Sequence, residues 1–312
     1  MLARPPIIDF HTHVFPDRLE EIGVIGKLRK QVRHWMRPFM ATLHESQTFL
    51  RVIPEGIRKP IDELAMFTPL AGLLFESTAT DLRDSMEESN VDYSVLIAHP
   101  PYLMNEQLLE LCQQYPQFIP AVNIGSGTAK PGSALRSYIK KGAKLLKIHP
   151  AFDGEGADSP RYKSLLKIAD EQGLPVILHT GCFHSRLFFK DPELGKVQNF
   201  APWFENYKKV RFVLAHMNLH EPAVALDLAE EFPNLFVDTS WQPSETIGEA
   251  VRRLGAERVL FGSDWPLVGN NIAIGLKRIQ ECIEMGTINS AQATLIQGGN
   301  AQKLLELTHG AS

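Results

Sequence analysis

Short apolar runs rich in β-branched and aliphatic residues recur along the chain. Each is closed by polar, glycine or proline positions, the pattern of strands buried on both faces. Eight such runs are found, at residues 7–14, 93–99, 118–124, 144–149, 176–180, 211–216, 235–240 and 258–264. From the second onward they follow one another at intervals of roughly 20 to 35 residues. Between most of them lie segments of helical spacing, such as Leu108, Leu109, Leu111 and Cys112 before Pro116, and residues 162–171 before Gly173. Residues 81–90 read as the helix that feeds the second strand, with Asp81 near its start, where the helix dipole favours a carboxylate.

Strands alternating with helix-length connections imply a parallel sheet with right-handed crossovers. Eight of them close into an α/β fold of the (β/α)8 TIM-barrel type. An open doubly wound sheet is the alternative, but no strand is followed by the glycine-rich dinucleotide turn. Gly125, Ser126 and Gly127 do not continue to its third glycine. The first two runs are about 78 residues apart, far beyond an ordinary strand-to-helix connection, so a helical cap insertion is expected at 14–90. The whole of 1–312 is then one catalytic domain. Within the cap, the basic stretch 26–37 reads as a solvated helix face or an oligomer contact rather than a nucleic-acid or membrane patch.

Composition narrows the classes. Hydrophobic residues make up 44% and charged residues 22% of 312, enough for a large core and against disorder. Lys and Arg number 32 against 36 Asp and Glu, a balance of −4 that disfavours a nucleic-acid partner. The three cysteines form no CxxC pair, which fits a reducing compartment. The start carries no signal layout, and the most apolar window, 65–75, is too short to span a bilayer. A cytoplasmic protein with no membrane partner is expected, acting on a small-molecule substrate, with a homodimer compatible.

The eleven histidines change the picture by where they fall. His11, His13, His99, His149, His179 and His216 sit at or near the C-terminal ends of the runs, where a barrel builds its active site, and the eighth run ends in Asp264. His11 and His13, two apart, share one side of their strand. Convergent imidazoles with a carboxylate are the donor set for Zn2+, Mn2+ or Fe2+ with positions left open for water or substrate.

The order of these residues resembles the amidohydrolase superfamily, in its "amidohydrolase 2" branch with aminocarboxymuconate-semialdehyde decarboxylase. The likeness runs the length of the chain. It covers Asp9-Phe10-His11-Thr12-His13, Leu146-Lys147-Ile148-His149-Pro150, Ile177-Leu178-His179-Thr180-Gly181 and Val213-Leu214-Ala215-His216. It continues through Leu260-Phe261-Gly262-Ser263-Asp264-Trp265-Pro266 to Gly299-Asn300-Ala301-Gln302-Lys303-Leu304-Leu305.

The resemblance implies that His11, His13, His179 and Asp264 hold one divalent metal, with zinc preferred and manganese or iron as alternatives. It also implies that Asp264 acts as acid and base on a metal-activated water, with His216 orienting that water or polarising a carbonyl. His149 is either a ligand or a substrate contact. Some relatives carry a carboxylated lysine on the fourth strand, which would set a second metal between Lys147 and His216, but Lys147 reads more simply as a charge-pairing group. His99, Trp241 and Arg186 are further substrate-contact candidates. Cys182 reads as a small buried residue, and Asp238 as a structural acid. The implied activity is hydrolysis of a small amide, lactone or ester-like substrate. The alternative is nonoxidative decarboxylation of an unsaturated or aromatic acid, for which Arg51, Arg58 or Arg186 could hold the carboxylate.

Overall fold

Every apolar run forms a strand: β1 Ile8–Thr12, β2 Tyr93–Ile97, β3 Phe118–Asn123, β4 Leu145–Ile148, β5 Val176–His179, β6 Phe212–Ala215, β7 Leu235–Asp238 and β8 Val259–Leu260. The computed structural model describes residues 4–15, 23–65, 77–186 and 189–306. The strands pair in sequence order and in parallel. The seam between β8 and β1 is joined by three backbone hydrogen bonds: Phe10 N–H to Phe261 O (2.8 Å), His13 N–H to Trp265 O (2.7 Å) and Asp264 N–H to His11 O (2.8 Å). The expected TIM barrel is the fold that forms.

Two apolar layers hold it. Inside the barrel, Ile8, Phe10, Val95, Ile97, Leu145 and Ile177 pack together, and Leu304 and Leu305 of the last helical segment join them. Gly298 lets the chain before that segment press onto β1, since a Cβ there would lie 1.9 Å from the carbonyl oxygen of Pro6. Outside, residues such as Leu96, Leu146, Leu178 and Leu214 face the helices. Each fully buried large aliphatic or aromatic side chain contributes about 1.5–3 kcal/mol.

The helices follow the local signals. The helix Ala79–Glu88 begins in a capping box, in which Asp81 N–H donates to Thr78 Oγ1 and Thr78 N–H donates to Asp81 Oδ2, each at 3.2 Å. Helix Pro160–Gln172 stops at Gly173, whose φ of 62° is the left-handed conformation that suits glycine.

Between β1 and β2 lie the helices Gly23–Phe49 and Glu55–Ala65, joined by the turn Leu50–Val52. Part of the expected cap, 16–22 and 66–76, lies outside the described residues, as does nearly all of the apolar window 65–75. The basic stretch 26–37 belongs to the long helix, where Trp35 is exposed. Arg51 binds the insertion to the barrel mouth through Leu219 O (3.1 Å) and Gln242 Oε1 (2.7 Å). Among the described residues no helix is long and apolar enough to cross a membrane.

The strands are shorter than the runs that announce them. His99, His149, His216 and Asp264 fall just past the ladder, where the backbone bends into loops. His216 (φ 64°), Trp241 (φ 63°) and Asp264 (φ 59°) all take left-handed conformations, which cost non-glycine residues about 1–3 kcal/mol each and concentrate at functional sites.

Candidate active site

Asp238, at the end of β7, organises the floor. Its Oδ2 accepts from His11 Nδ1 at 2.9 Å, and its Oδ1 accepts the backbone N–H of His216 at 2.9 Å and the hydroxyl of Ser240. Burial opposes its ionisation, but the bond from His11 and the nearby histidines hold its carboxyl below the usual range. Since Ser240 spends its hydrogen on Asp238, its oxygen accepts from His216 Nδ1–H at 2.7 Å. Both rings therefore have a fixed tautomer and present a bare Nε2, the arrangement found behind metal-bound histidines. Gly262 makes room, because a Cβ there would lie 3.1 Å from His11 Cβ and 3.2 Å from Asp238 Cβ.

Asp264 faces these rings. Its Oδ1 lies 3.3 Å from His11 Nε2 and 3.3 Å from His13 Nε2, and its Oδ2 accepts the indole N–H of Trp241 at 2.7 Å. Burial works against the charge, but His11, His216 and His13 around it hold the carboxyl well below its ordinary value. His11, His216 and Asp264 each offer a donor atom within 4.8 Å of the others. His216 thus stands beside the expected ligands His11 and Asp264, and His13 reaches the same Asp264 oxygen at 3.3 Å.

The remaining histidines make a wall. His179 lies 5.1 Å from His216 between ring centroids and stacks on His149 at 3.7 Å. His149 Nδ1 accepts the backbone N–H of Phe152 at 3.2 Å, so the neutral ring carries its hydrogen on Nε2 and serves as a donor. Burial drives the protonation of His149 and His179 well below the ordinary histidine range, and that of His216 to about 4. His99 sits between His13 (5.8 Å) and His149 (6.2 Å), within a patch formed with Tyr102 and Phe152. Lys147, buried inside the barrel, approaches His11 Nε2 at 3.2 Å, and burial pulls its ammonium down to about 8.

A pocket opens above this floor, lined by His179, His216, Trp241 and Asp264 and walled by Phe183, Phe189, Leu219 and Leu267, with Arg51 at its side. Arg51 is held by Thr246 Oγ1 (3.0 Å), Leu219 O and Gln242 Oε1, and burial lowers it only to about 10, so it stays charged at neutral pH. Arg186 is exposed and does not line this pocket. Cys182 has a neighbour the sequence did not reveal, His184 Nε2 at 3.2 Å, but burial pushes its thiol up to about 12 and leaves it a poor nucleophile. Of the three arginines considered for a substrate carboxylate, Arg51 is the one that lines this pocket, and Ser240 is the addition the sequence did not offer; neither stands in a motif, and only the fold brings them to the mouth.

The donors suit a divalent ion. Nε2 of His11 and of His216 face one carboxylate with their Nδ1 atoms already committed, and two buried atoms nearby, His13 Nδ1 and Asp9 Oδ2, have no hydrogen-bond partner. Burial raises the Asp9 carboxyl to about 7, although His11 N–H (3.1 Å) and Ser263 N–H (3.0 Å) donate to its other oxygen.

Solved structures share the architecture. An uncharacterized TIM-barrel protein from Bordetella bronchiseptica superposes with a TM-score of 0.68 at 18% identity, covering 96% of this chain and 98% of the other. An amidohydrolase from Burkholderia multivorans with bound zinc gives 0.63 at 14% identity, covering 97% and 100%. A dihydroxybenzoic acid decarboxylase from a Polaromonas species, with manganese and 2-nitroresorcinol, gives 0.61 at 17% identity, covering 98% of both. Among curated protein sequences none matches this chain. The family described as Amidohydrolase matches residues 8–307, almost the whole chain, and the ordered His and Asp positions at the barrel mouth lie within that span. The chain belongs to the amidohydrolase family.

Proposed function

We propose that the protein is a metal-dependent hydrolase of a small amide, lactone or ester-like substrate that carries a carboxylate. The observation that supports this most directly is the placement of Asp264. One oxygen faces His11 and His13 at 3.3 Å, the other is fixed by Trp241, and the carboxylate forms part of the pocket wall. A carboxylate so placed can accept a proton from an attacking water and return it to a leaving group. One divalent ion, zinc by donor chemistry with manganese or iron as alternatives, would be held by His11, His13, His179 and Asp264, with His216 beside them, and would supply Lewis acidity at the scissile carbonyl.

The chain's own groups do the rest. Arg51 receives the substrate carboxylate, preset by three acceptors so that little is lost on ordering it. His149 supports His179 from behind by stacking at 3.7 Å, while Phe183, Phe189 and Leu267 exclude water. The insertion between β1 and β2 completes the mouth by contributing Arg51.

A second reading, nonoxidative decarboxylation of an unsaturated or aromatic acid, is favoured by the same guanidinium beside the aromatic walls Phe183, Phe189 and Trp241. The neighbouring decarboxylase and amidohydrolase structures are compatible with either. Protein stripped of metal and reloaded with zinc or manganese, offered lactones, esters and amides bearing a carboxylate and separately unsaturated acids, decides between them. Acid release without CO2 supports the hydrolase; CO2 release from the acids with inert lactones, esters and amides overturns it.

A further inference from the structure

Beside the barrel-mouth pocket, on the side where the insertion meets the loop after β5, three donor side chains come together and a fourth carboxylate reaches one of them. Cys182 Sγ lies 3.2 Å from His184 Nε2, and Glu193 Oε1 lies 3.2 Å from that nitrogen and 3.9 Å from the sulfur. Glu55 Oε1, from the helix Glu55–Ala65, lies 3.2 Å from the same nitrogen. We propose that Cys182, His184 and Glu193 form a second metal site, selective for a thiophilic divalent ion of the zinc type, which Asp62 of the insertion braces through His184 and which thereby fastens the insertion to the β5 loop.

Three features carry this. In a tetrahedral shell with zinc about 2.3 Å from sulfur and about 2.0 Å from nitrogen and oxygen, the donors stand about 3.3–3.6 Å apart. The three separations among Cys182, His184 and Glu193, 3.2, 3.2 and 3.9 Å, lie within a few tenths of an ångström of those edges. Next, an imidazole nitrogen has one lone pair or one hydrogen in the ring plane and cannot serve two carboxylate oxygens and a thiol at once. A cation bound by the thiolate, the imidazole and Glu193 uses that lone pair. Last, the ring is braced from behind: His184 Nδ1 and the His184 backbone N–H both lie 3.0 Å from Oδ2 of Asp62, a fully buried carboxylate. A carboxylate on the far nitrogen of a histidine is the usual support for a metal ligand.

Two lysines bear on the charge. Lys196 Nζ lies 2.8 Å from Glu193 Oε2 and 3.5 Å from Glu55 Oε1, and Lys59 Nζ lies 3.3 Å from Glu55 Oε1 and 3.5 Å from Glu193 Oε1. Both stems reach solvent, so the ammonium groups can withdraw to the outer carboxylate oxygens when a dication enters. The thiol proton leaves to solvent as the sulfur–metal bond forms. The thiolate and the two glutamates then face the dication and the two lysines, while Asp62 is paired with Arg58, whose Nε lies 3.8 Å from its Oδ2. Because Phe183 lies between Cys182 and His184 and lines the pocket, the ion would also fix one pocket wall.

Cobalt(II) tests this without reference to turnover. Sulfur donors are absent from the barrel-mouth cluster, so a near-ultraviolet thiolate-to-cobalt absorption band reports on this site alone. Metal-stripped protein titrated with Co2+ should develop that band, His11→Ala should keep it, and Cys182→Ser should lose it. Glu193→Gln alters a half-exposed side chain and leaves the fold intact; it should weaken the band's apparent affinity about tenfold or more. Absence of the band in wild type at saturating Co2+, its persistence in Cys182→Ser, or unchanged affinity in Glu193→Gln would each overturn the proposal.

Discussion

Trp241 donates its indole N–H to Oδ2 of Asp264 at 2.7 Å, so the carboxylate that meets the histidines is aimed by a side chain from the loop after the preceding strand. Trp241→Phe keeps an aromatic ring against His44, 4.8 Å away between centroids, and removes only the donor. A hydrogen bond to a charged group is worth about 1.5–3 kcal/mol. Loss of a donor to the ionised form raises the carboxyl pKa, so the acid limb of the rate profile should move to higher pH by about one unit or more. An unshifted limb in the metal-loaded variant would refute the proton-transfer role of Asp264.

Asp238→Asn keeps the shape of the floor but removes the charge that fixes the His11 tautomer. Metal affinity should fall about 10–100-fold, as for other supports behind a metal ligand. Competition with a chromogenic chelator measures this, with circular dichroism as the control for folding.

Gly262→Ala places a Cβ against His11 Cβ at 3.1 Å and Asp238 Cβ at 3.2 Å, tight enough to push the pair apart. A stability loss of about 1–3 kcal/mol is expected from overpacking. It should come with a larger loss of metal affinity than surface glycine changes give, read from denaturant midpoints and metal titration on the same preparation.

Arg51→Gln should raise KM for carboxylate-bearing substrates about thirtyfold, the equivalent of about 2 kcal/mol for a charge-assisted contact. KM for uncharged analogues should hold. Equal effects on both would mean that Arg51 acts by holding Leu219 and Gln242 rather than by meeting substrate.

His44 is buried and His220 partly so, and desolvation lowers both to about 3 in the folded protein. Unfolded, each returns to about 6.5. Between those values the unfolded chain binds more protons, so stability is lost as pH falls below about 6.5, by up to about 1.4 kcal/mol per pH unit for each ring. Urea midpoints of chelator-treated protein at about pH 7 and about pH 5.5 should show this acid sensitivity, and His220→Gln should flatten it.

The barrel was legible because strands buried on both faces leave continuous apolar runs, and helix caps such as Thr78 with Asp81 and stops such as Gly173 follow local rules. Candidate ligands were legible where strand period and barrel geometry combine, as at His179 two residues beyond Ile177 of the interior layer. β1 is less simple: strict alternation from Ile8 and Phe10, both interior, would send His11 to the opposite face. The register against β2 slips between Asp9 and Thr12, and a slip of that kind re-aims the residues beyond it. Trp241 aiming Asp264, Ser240 relaying His216 to Asp238 and Arg51 arriving from the insertion depend on left-handed backbone and long-range docking, which leave no periodic trace.

The seam where β8 meets β1 has a consequence for biosynthesis. His11 is made more than two hundred residues before Asp238, Gly262 and Asp264, and His13 N–H bonds to Trp265 O across that join. Contacts so distant in sequence form late, after most loop-closure entropy has been overcome. No nascent chain that ends before the eighth strand contains the assembled cluster. A ribosome-bound intermediate would carry the imidazoles without the Asp264 carboxylate that completes the set, and the full site would form only when the first and last strands close on each other.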